Sequence, residues 1–154
     1  MKVFADKMFN TLEKHREEIA MQWCKAVRKN PRTPSFNNIP EEECFKRAIF
    51  FYKNMEPIYF SGKPYTELQE YFAGYAETSH AFNIPLHEAL YGVIMMRRQM
   101  WLYTEFQAPF LNAMEHHQAV ETINKTIRIF DHGLYAIAKK YGELQKDEEK
   151  RHGG

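Results

Sequence analysis

The pattern that comes nearest to a metal site in this sequence is histidine paired with glutamate at helical spacing. Glu77 and His80 match the Glu-x-x-His unit of di-iron bundles, but such sites need two inward-facing units and two further glutamates. No second unit lies on an apolar helix face. His117 and Glu121 would share one helical face, a pairing that is common in charged helices. The sequence therefore predicts no metal site, and an enzyme with a dispersed metal site in a helical bundle remains an alternative.

The two cysteines, Cys24 and Cys44, each fall in a segment with the pattern of an amphipathic helix. Buried free thiols are common at such positions, so we predict reduced core residues, with a disulfide or a redox sensor as alternatives. Neither cysteine has a histidine placed by a local signature. No Gly-x-Ser-x-Gly elbow or glycine-rich phosphate loop occurs. We predict no catalytic residues and a protein that is not an enzyme.

The composition limits the partners that this chain can have. Its 21 Lys and Arg against 20 Asp and Glu give a net charge of +1, which argues against nucleic acid as a partner. No stretch approaches the ~20 apolar residues of a membrane span, and residues 1–7 carry charge where a signal peptide would be apolar. We predict a cytoplasmic protein without a membrane partner, folded as a single domain over residues 1–154.

Glycine and proline separate periodic segments, which defines the elements that must position these side chains. The apolar spacing predicts five helices, at about 4–29, 41–59, 64–82, 86–106 and 112–149. No strand pattern competes. The expected fold is an all-α bundle of about five helices with a long C-terminal helix.

The last helix carries an unbroken heptad stripe, here called the C-terminal seam. Its eight apolar positions are spaced alternately by three and four residues, as in a coiled coil or a helix packed lengthwise in a bundle. The positions are Val120, Ile123, Ile127, Phe130, Leu134, Ile137, Tyr141 and Leu144. We predict that this helix dimerises with a second copy and carries the output signal. The alternative is that the whole stripe belongs to the monomer core, since Gly133 and Gly142 are weak points in an exposed helix.

A ligand pocket is predicted from aromatic residues on inward stripes. Arg97 lies one turn before Trp101 on such a stripe, and a buried guanidinium must be paired. It could bind an anionic ligand, stack on an aromatic ring, or extend to the surface along its stem. The predicted lining is Phe45, Tyr52, Phe72, Tyr75, Arg97 and Trp101.

Three stretches together resemble the N-terminal domain of the RsbR-type stress regulators (RsbT co-antagonists), which also precedes bacterial histidine kinases. They are LEKHREEI at 12–19 running into Trp23, NIPLHEAL at 83–90 running into Arg97 and Arg98, and the long last helix. The resemblance implies a globin-like fold without haem, dimeric through its last helices, that signals to a kinase or stress-regulator output domain. It brings no catalytic residues. Because the sequence ends at Gly154, it implies either an excised sensor or a stand-alone version.

Haem is the alternative cofactor, because the globin-coupled sensors are a related haem-binding group. His80, ahead of the turn at residues 83–85, is the candidate axial ligand of a haem-based gas sensor. When the turns are aligned at Asn83, however, the ligand position falls on Ser79. An offset of one residue rotates a helical side chain by about 100°, so we expect His80 to point away from a pocket that Ser79 faces.

Overall fold

The computed structural model describes residues 3–61, 64–107 and 113–153, and the regular structure in this part of the chain is helical, without strands. Six α-helices and one short 3₁₀ helix at Pro34–Asn38 make up its regular structure. The helices are α1 (Val3–Lys14), α2 (Arg16–Lys29), α3 (Glu41–Phe60), α4 (Pro64–Ala81), α5 (Leu86–Gln107) and α6 (Ala113–His152). The predicted all-α bundle with a long C-terminal helix is confirmed.

The predicted first helix, 4–29, is wrong in one respect, because it is two helices that meet at His15. The backbone there leaves the helical region, with φ −114° and ψ 19°. The bend lets α1 pack on α6 while α2 packs on α3, so Leu12 and Ile19 on either side of it are both buried. No glycine or proline marks this position, which is why the apolar spacing alone predicted one helix.

The centre of the bundle is organised around Trp23 of α2. Its indole Nε1–H donates to the backbone carbonyl of Gly92 on α5 over 2.9 Å, which satisfies the one polar group of the side chain. Phe36, from the 3₁₀ helix, meets the indole edge to face with centroids 5.8 Å apart. Both side chains are fully buried. The connection between α2 and α3 is therefore part of the core.

α4 and α6 pack closely along their length, and the contact between them is tight at Gly133 of α6. A Cβ at this position would lie 2.6 Å from Cε2 of Phe72, which is fully buried on α4. Only glycine fits there without displacing the ring. Gly142, two turns further on, has open space around it.

The turn from α4 to α5 is closed by Asn83, which has φ 60°. Its N–H donates to the carbonyl of His80 over 2.9 Å, and the N–H of Ile84 donates to the carbonyl of Ser79 over 3.1 Å. This pair of bonds is a Schellman motif, in which asparagine tolerates the left-handed backbone. The turn fixes the direction in which α5 leaves.

Among the described residues, no helix combines the length and apolarity that crossing a membrane requires.

Candidate functional site

The six residues predicted to line a pocket do not surround a common cavity. Tyr52 and Tyr75 are buried, and their hydroxyls donate to backbone carbonyls of α5, at Met96 over 2.9 Å and at Ala89 over 3.0 Å. Phe72 is fully buried against Gly133. These three side chains fill the core. The remaining members of the set, Phe45, Arg97 and Trp101, are half-buried.

Arg97 stacks on aromatic rings, one of the three roles considered for it. Its guanidinium carbon lies 5.1 Å from the centroid of Trp101 and 5.9 Å from that of Phe130. The Nε of Arg97 and the indole Nε1 of Trp101 are buried without a hydrogen-bond partner among the described residues. A nearby void bordered by Met100 and Phe130 measures about 10 Å³, which is too small for a ligand. Arg97 thus covers a packed aromatic cluster.

A larger opening lies between α3 and α4 and is here called the α3–α4 groove. It has a volume of about 820 Å³ and is open to solvent. Phe50, 59% exposed, and Tyr71 form an aromatic wall with ring centroids 5.7 Å apart. Gly74 contributes no side chain, and a Cβ there would meet nothing within 4 Å. Of the six predicted pocket residues, Tyr75 is the one that borders this groove.

Arg47 is the best-positioned charged group of the α3–α4 groove. Its Nη2 donates to Ser79 Oγ over 2.6 Å, and its guanidinium carbon lies 4.9 Å from the centroid of Tyr75. Its Nη1 is buried and lacks a hydrogen-bond partner, and no carboxylate pairs with it among the described residues. A guanidinium held in place without a counter-charge favours a negatively charged group. The sequence analysis did not identify Arg47, because its contacts are with α4 and no local sequence pattern indicates them.

The charge of the groove changes along its length. Lys46 and Arg47 lie at the end formed by the first half of α3, with Glu43 beside them, whereas Glu67 and Glu70 lie at the opposite end. Since α3 and α4 run antiparallel, the basic side chains face the last turns of α4 and the acidic ones border the end of α3.

His80 does not face the core. Its Nε2 lies 3.0 Å from a carboxylate oxygen of Glu148, and its ring meets Tyr141 edge to face with centroids 5.6 Å apart. Ser79 is fully buried instead, as the one-residue offset predicted. A serine is not a haem ligand, and the iron-binding nitrogen of His80 is engaged with α6. The residues present therefore do not fit a haem bound at His80.

The histidines and glutamates noted in the sequence contact side chains of α6. Glu77 accepts from Lys140 of α6 over 3.1 Å, so Glu77 and His80 both turn towards α6. His117 lies 3.2 Å from Glu121 on the open surface. Within the described ranges, no three His, Cys, Asp or Glu side chains converge on one point where a metal ion could bind.

Cys24 and Cys44 meet across the α2–α3 interface, which the sequence did not predict. Both thiols are free and buried, with exposed fractions of 4% and 0%. Interaction with Cys44 and burial raise the pKa of the Cys24 thiol. Nineteen residues separate them in sequence, so no local spacing signals the contact.

Burial of the C-terminal seam changes along α6. Phe130, Ile137 and Tyr141 are buried in the chain's own core, which leaves them no surface for a second helix. Val120 and Ile123 expose 47% and 43% of their surface. The half-buried members of the seam are Ile127, Leu134 and Leu144. Its second half packs within the domain, and its first half presents an apolar stripe, here called the α6 stripe (Val120, Ile123 and Ile127).

Comparisons of the chain with family models, with curated proteins and with solved structures return no match.

Proposed function

We propose that this chain is a non-catalytic sensory or regulatory domain of a bacterial signal-transduction protein, which dimerises and transmits a signal through α6. Its partner would be a downstream kinase or a stress-regulator output domain or protein, and its place of action the cytoplasm. The resemblance to RsbR-type sensor domains motivates these identities. The helical fold is compatible with them.

The observation that carries the proposal is the unequal burial of α6. This helix has 40 residues, and its middle is anchored in the core through Phe130 and Ile137. The α6 stripe on its first half lacks an apolar cover, and residues 145–153 at its end are all exposed. A helix that is anchored in the core, carries an exposed apolar stripe on its first half and ends in exposed turns can pair with a second copy and carry a displacement outwards.

The signal is assigned to the α3–α4 groove in this proposal, in place of the predicted aromatic pocket. The groove has room for a small ligand or a peptide segment, an aromatic wall at Phe50 and an unpaired cation at Arg47. α4 connects this site to the output helix, because Ser79 holds Arg47 while the neighbouring His80 binds Glu148 of α6. A ligand that moves α4 would therefore act directly on α6.

Light scattering tests the dimer. We expect the purified chain to show twice its mass of 18.4 kDa. The double variant Val120→Glu with Ile123→Glu should show the monomer mass, because two buried carboxylates would oppose the contact. Tyr135→Glu is the matched control: this residue of α6 is 66% exposed but lies off the stripe, so the variant should remain dimeric. A monomeric wild type, or a dimer that survives the double substitution, contradicts the proposed interface.

A further inference from the structure

The α3–α4 groove contains a guanidinium that lacks a counter-charge, which narrows the chemistry of a ligand that could bind there. Arg47 borders the groove and is half-buried, and its Nη1 has no hydrogen-bond partner among the described residues. The Nζ of the neighbouring Lys46, by contrast, lies 3.7 Å from a carboxylate oxygen of Glu42. A shielded cationic donor without an acceptor is unfavourable, so a ligand that supplies the acceptor gains a charge-assisted hydrogen bond.

Contacts with α4 hold Arg47 in a position suited to a planar anion. Its Nη2 donates to Ser79 Oγ over 2.6 Å, and its guanidinium carbon lies 4.9 Å from the centroid of Tyr75. Both partners are buried. Because the guanidinium is already fixed, less side-chain freedom is lost when a ligand binds. A carboxylate is planar and matches the geometry of a guanidinium.

The surface next to Arg47 is aromatic and open. Phe50, which follows Arg47 on α3, is 59% exposed, and its ring centroid lies 5.7 Å from that of Tyr71 on α4. Gly74 also borders the groove, and a Cβ there would meet nothing within 4 Å, so space remains. An aromatic ring fits such a surface, because it buries apolar area and can stack on the two side chains.

The charges of the groove favour a ligand with a single negative charge. Three carboxylates, of Glu43, Glu67 and Glu70, border it together with two cations, Lys46 and Arg47, so its formal charge is −1. These carboxylates repel a dianion such as a phosphate monoester more strongly than a monocarboxylate. The aromatic wall and the single unpaired guanidinium therefore point to the same class of small molecule.

We propose that the α3–α4 groove binds an aromatic monocarboxylate, with its carboxylate at Arg47 and its ring against Phe50 and Tyr71. This inference rests on the proposed function, which assigns the signal to the groove, and it names the class of ligand. The volume of about 820 Å³ lies within the range of small-molecule sites. The bound carboxylate would neutralise Arg47 next to its hydrogen bond with Ser79, and so act on α4.

Calorimetric titration of the full chain with naphthylacetate tests the ligand class. We expect saturable binding at one site per chain. The neutral isostere naphthylacetamide should bind at least tenfold more weakly, because it lacks the charge that pairs with Arg47. Acetate should bind more weakly for want of a ring, and naphthyl phosphate because of its second charge. No binding of naphthylacetate, equal affinity for its amide, or tighter binding of the phosphate overturns the proposal.

The charge at Arg47 is tested with a matched pair of variants. Arg47→Gln should weaken the binding of naphthylacetate at least tenfold. Arg98→Gln is the control, because the guanidinium carbon of Arg98 likewise lies 5.5 Å from the ring centroid of a tyrosine, Tyr91, but on α5 outside the groove. Equal losses in the two variants would overturn the role given to Arg47. Circular dichroism checks that each variant folds.

A second pair of variants tests the groove without removing any contact. Gly74→Leu places a side chain in the open space of the groove and should abolish binding, and leucine favours the helix more than glycine does. Gly142→Leu is the control, because a Cβ at Gly142 on α6 also meets nothing within 4 Å. Binding of naphthylacetate that survives Gly74→Leu places the site elsewhere and overturns the proposal.

Ligand binding and dimerisation can fail separately. The double variant Val120→Glu with Ile123→Glu should still bind naphthylacetate, because neither residue borders the groove. A dimeric wild type that binds none of the probes contradicts the ligand class and leaves the proposed dimer intact. A monomeric wild type that binds naphthylacetate contradicts the dimer and supports the ligand class.

Discussion

Gly133 and Gly142 show how differently one residue type acts at two positions of α6. The Cβ of Gly133→Ala would lie 2.6 Å from the buried ring of Phe72, whereas that of Gly142→Ala would meet nothing within 4 Å. We expect Gly133→Ala to lower the free energy of unfolding by roughly 1–2 kcal/mol, because the steric cost exceeds the gain in helix propensity. Gly142→Ala should raise it by about 0.5–1 kcal/mol.

Urea denaturation at fixed protein concentration measures both changes, since a dimer's stability depends on concentration. Equal stabilisation by the two substitutions would show that α4 and α6 are not in close contact at Gly133.

The contacts of individual residues were harder to predict from the sequence than the helices were. The sequence marks Gly133 and Gly142 alike as weak points of a helix, and only the position of Phe72 on another helix separates them. The sequence likewise does not show that the partners of Arg47 lie on α4, or that Cys24 and Cys44 influence each other from two helices. The burial of Ser79 beside an outward-facing His80 could be predicted, because it follows from rotation along one helix.

At the scale of the helices, a hydrogen bond from Tyr141 links α6 to the turn between α4 and α5. Its hydroxyl donates to the carbonyl of Ile84 over 2.8 Å, and the side chain is buried. Tyr141→Phe leaves this buried carbonyl unpaired, so we expect the free energy of unfolding to fall by about 1–2 kcal/mol. Tyr135→Phe is the control, because Tyr135 is 66% exposed.

Urea denaturation measures the free energy of unfolding of both tyrosine variants. A loss in Tyr135→Phe as large as that in Tyr141→Phe would show that the hydroxyl of Tyr141 does not stabilise the turn.

The bounds of most helices could be predicted from the sequence, but the surfaces against which the helices pack could not. Glycine and proline at the boundaries and apolar spacing within the segments gave the bounds of α3, α4 and α5 to within a few residues. The break at His15 has no such marker. The heptad spacing of α6 is the same whether its apolar positions meet the chain's own core or a second copy. The sequence therefore predicted the stripe but not the point where Phe130 and Ile137 turn it inward.

Over the whole molecule, buried phenols make the fold sensitive to alkaline pH. Burial raises the pKa of Tyr75 to about 12 and raises those of Tyr52, Tyr71 and Tyr141 as well. A tyrosine whose pKa is higher in the folded than in the unfolded chain contributes stability that is fully present below about pH 10. That contribution is lost as the pH rises, and for Tyr75 the loss between pH 10 and 12 is about 2 kcal/mol.

We therefore expect the urea midpoint to fall steeply above pH 10, together with a cooperative rise in phenolate absorbance at 295 nm. Lys140→Met should show the same transition, because the surface ion pair of Lys140 with Glu77 does not set it. Complete phenol titration near pH 10 with native circular dichroism would show that these tyrosines are accessible to solvent.

The exposed end of α6 has a geometric consequence for anything attached to it. From Gly142 to His152 the helix extends about 16 Å. Each residue of a continuous helix turns the next group by about 100°, so the facing of an attached domain depends on the phase of the connection as well as its length. Inserting seven residues nearly restores that phase, whereas inserting three or four leaves it offset by about 60° or 40° in opposite senses. A small rotation of α6 about its own axis, relative to α4, would therefore turn a group at the end of the helix to face another direction while hardly moving it along the axis.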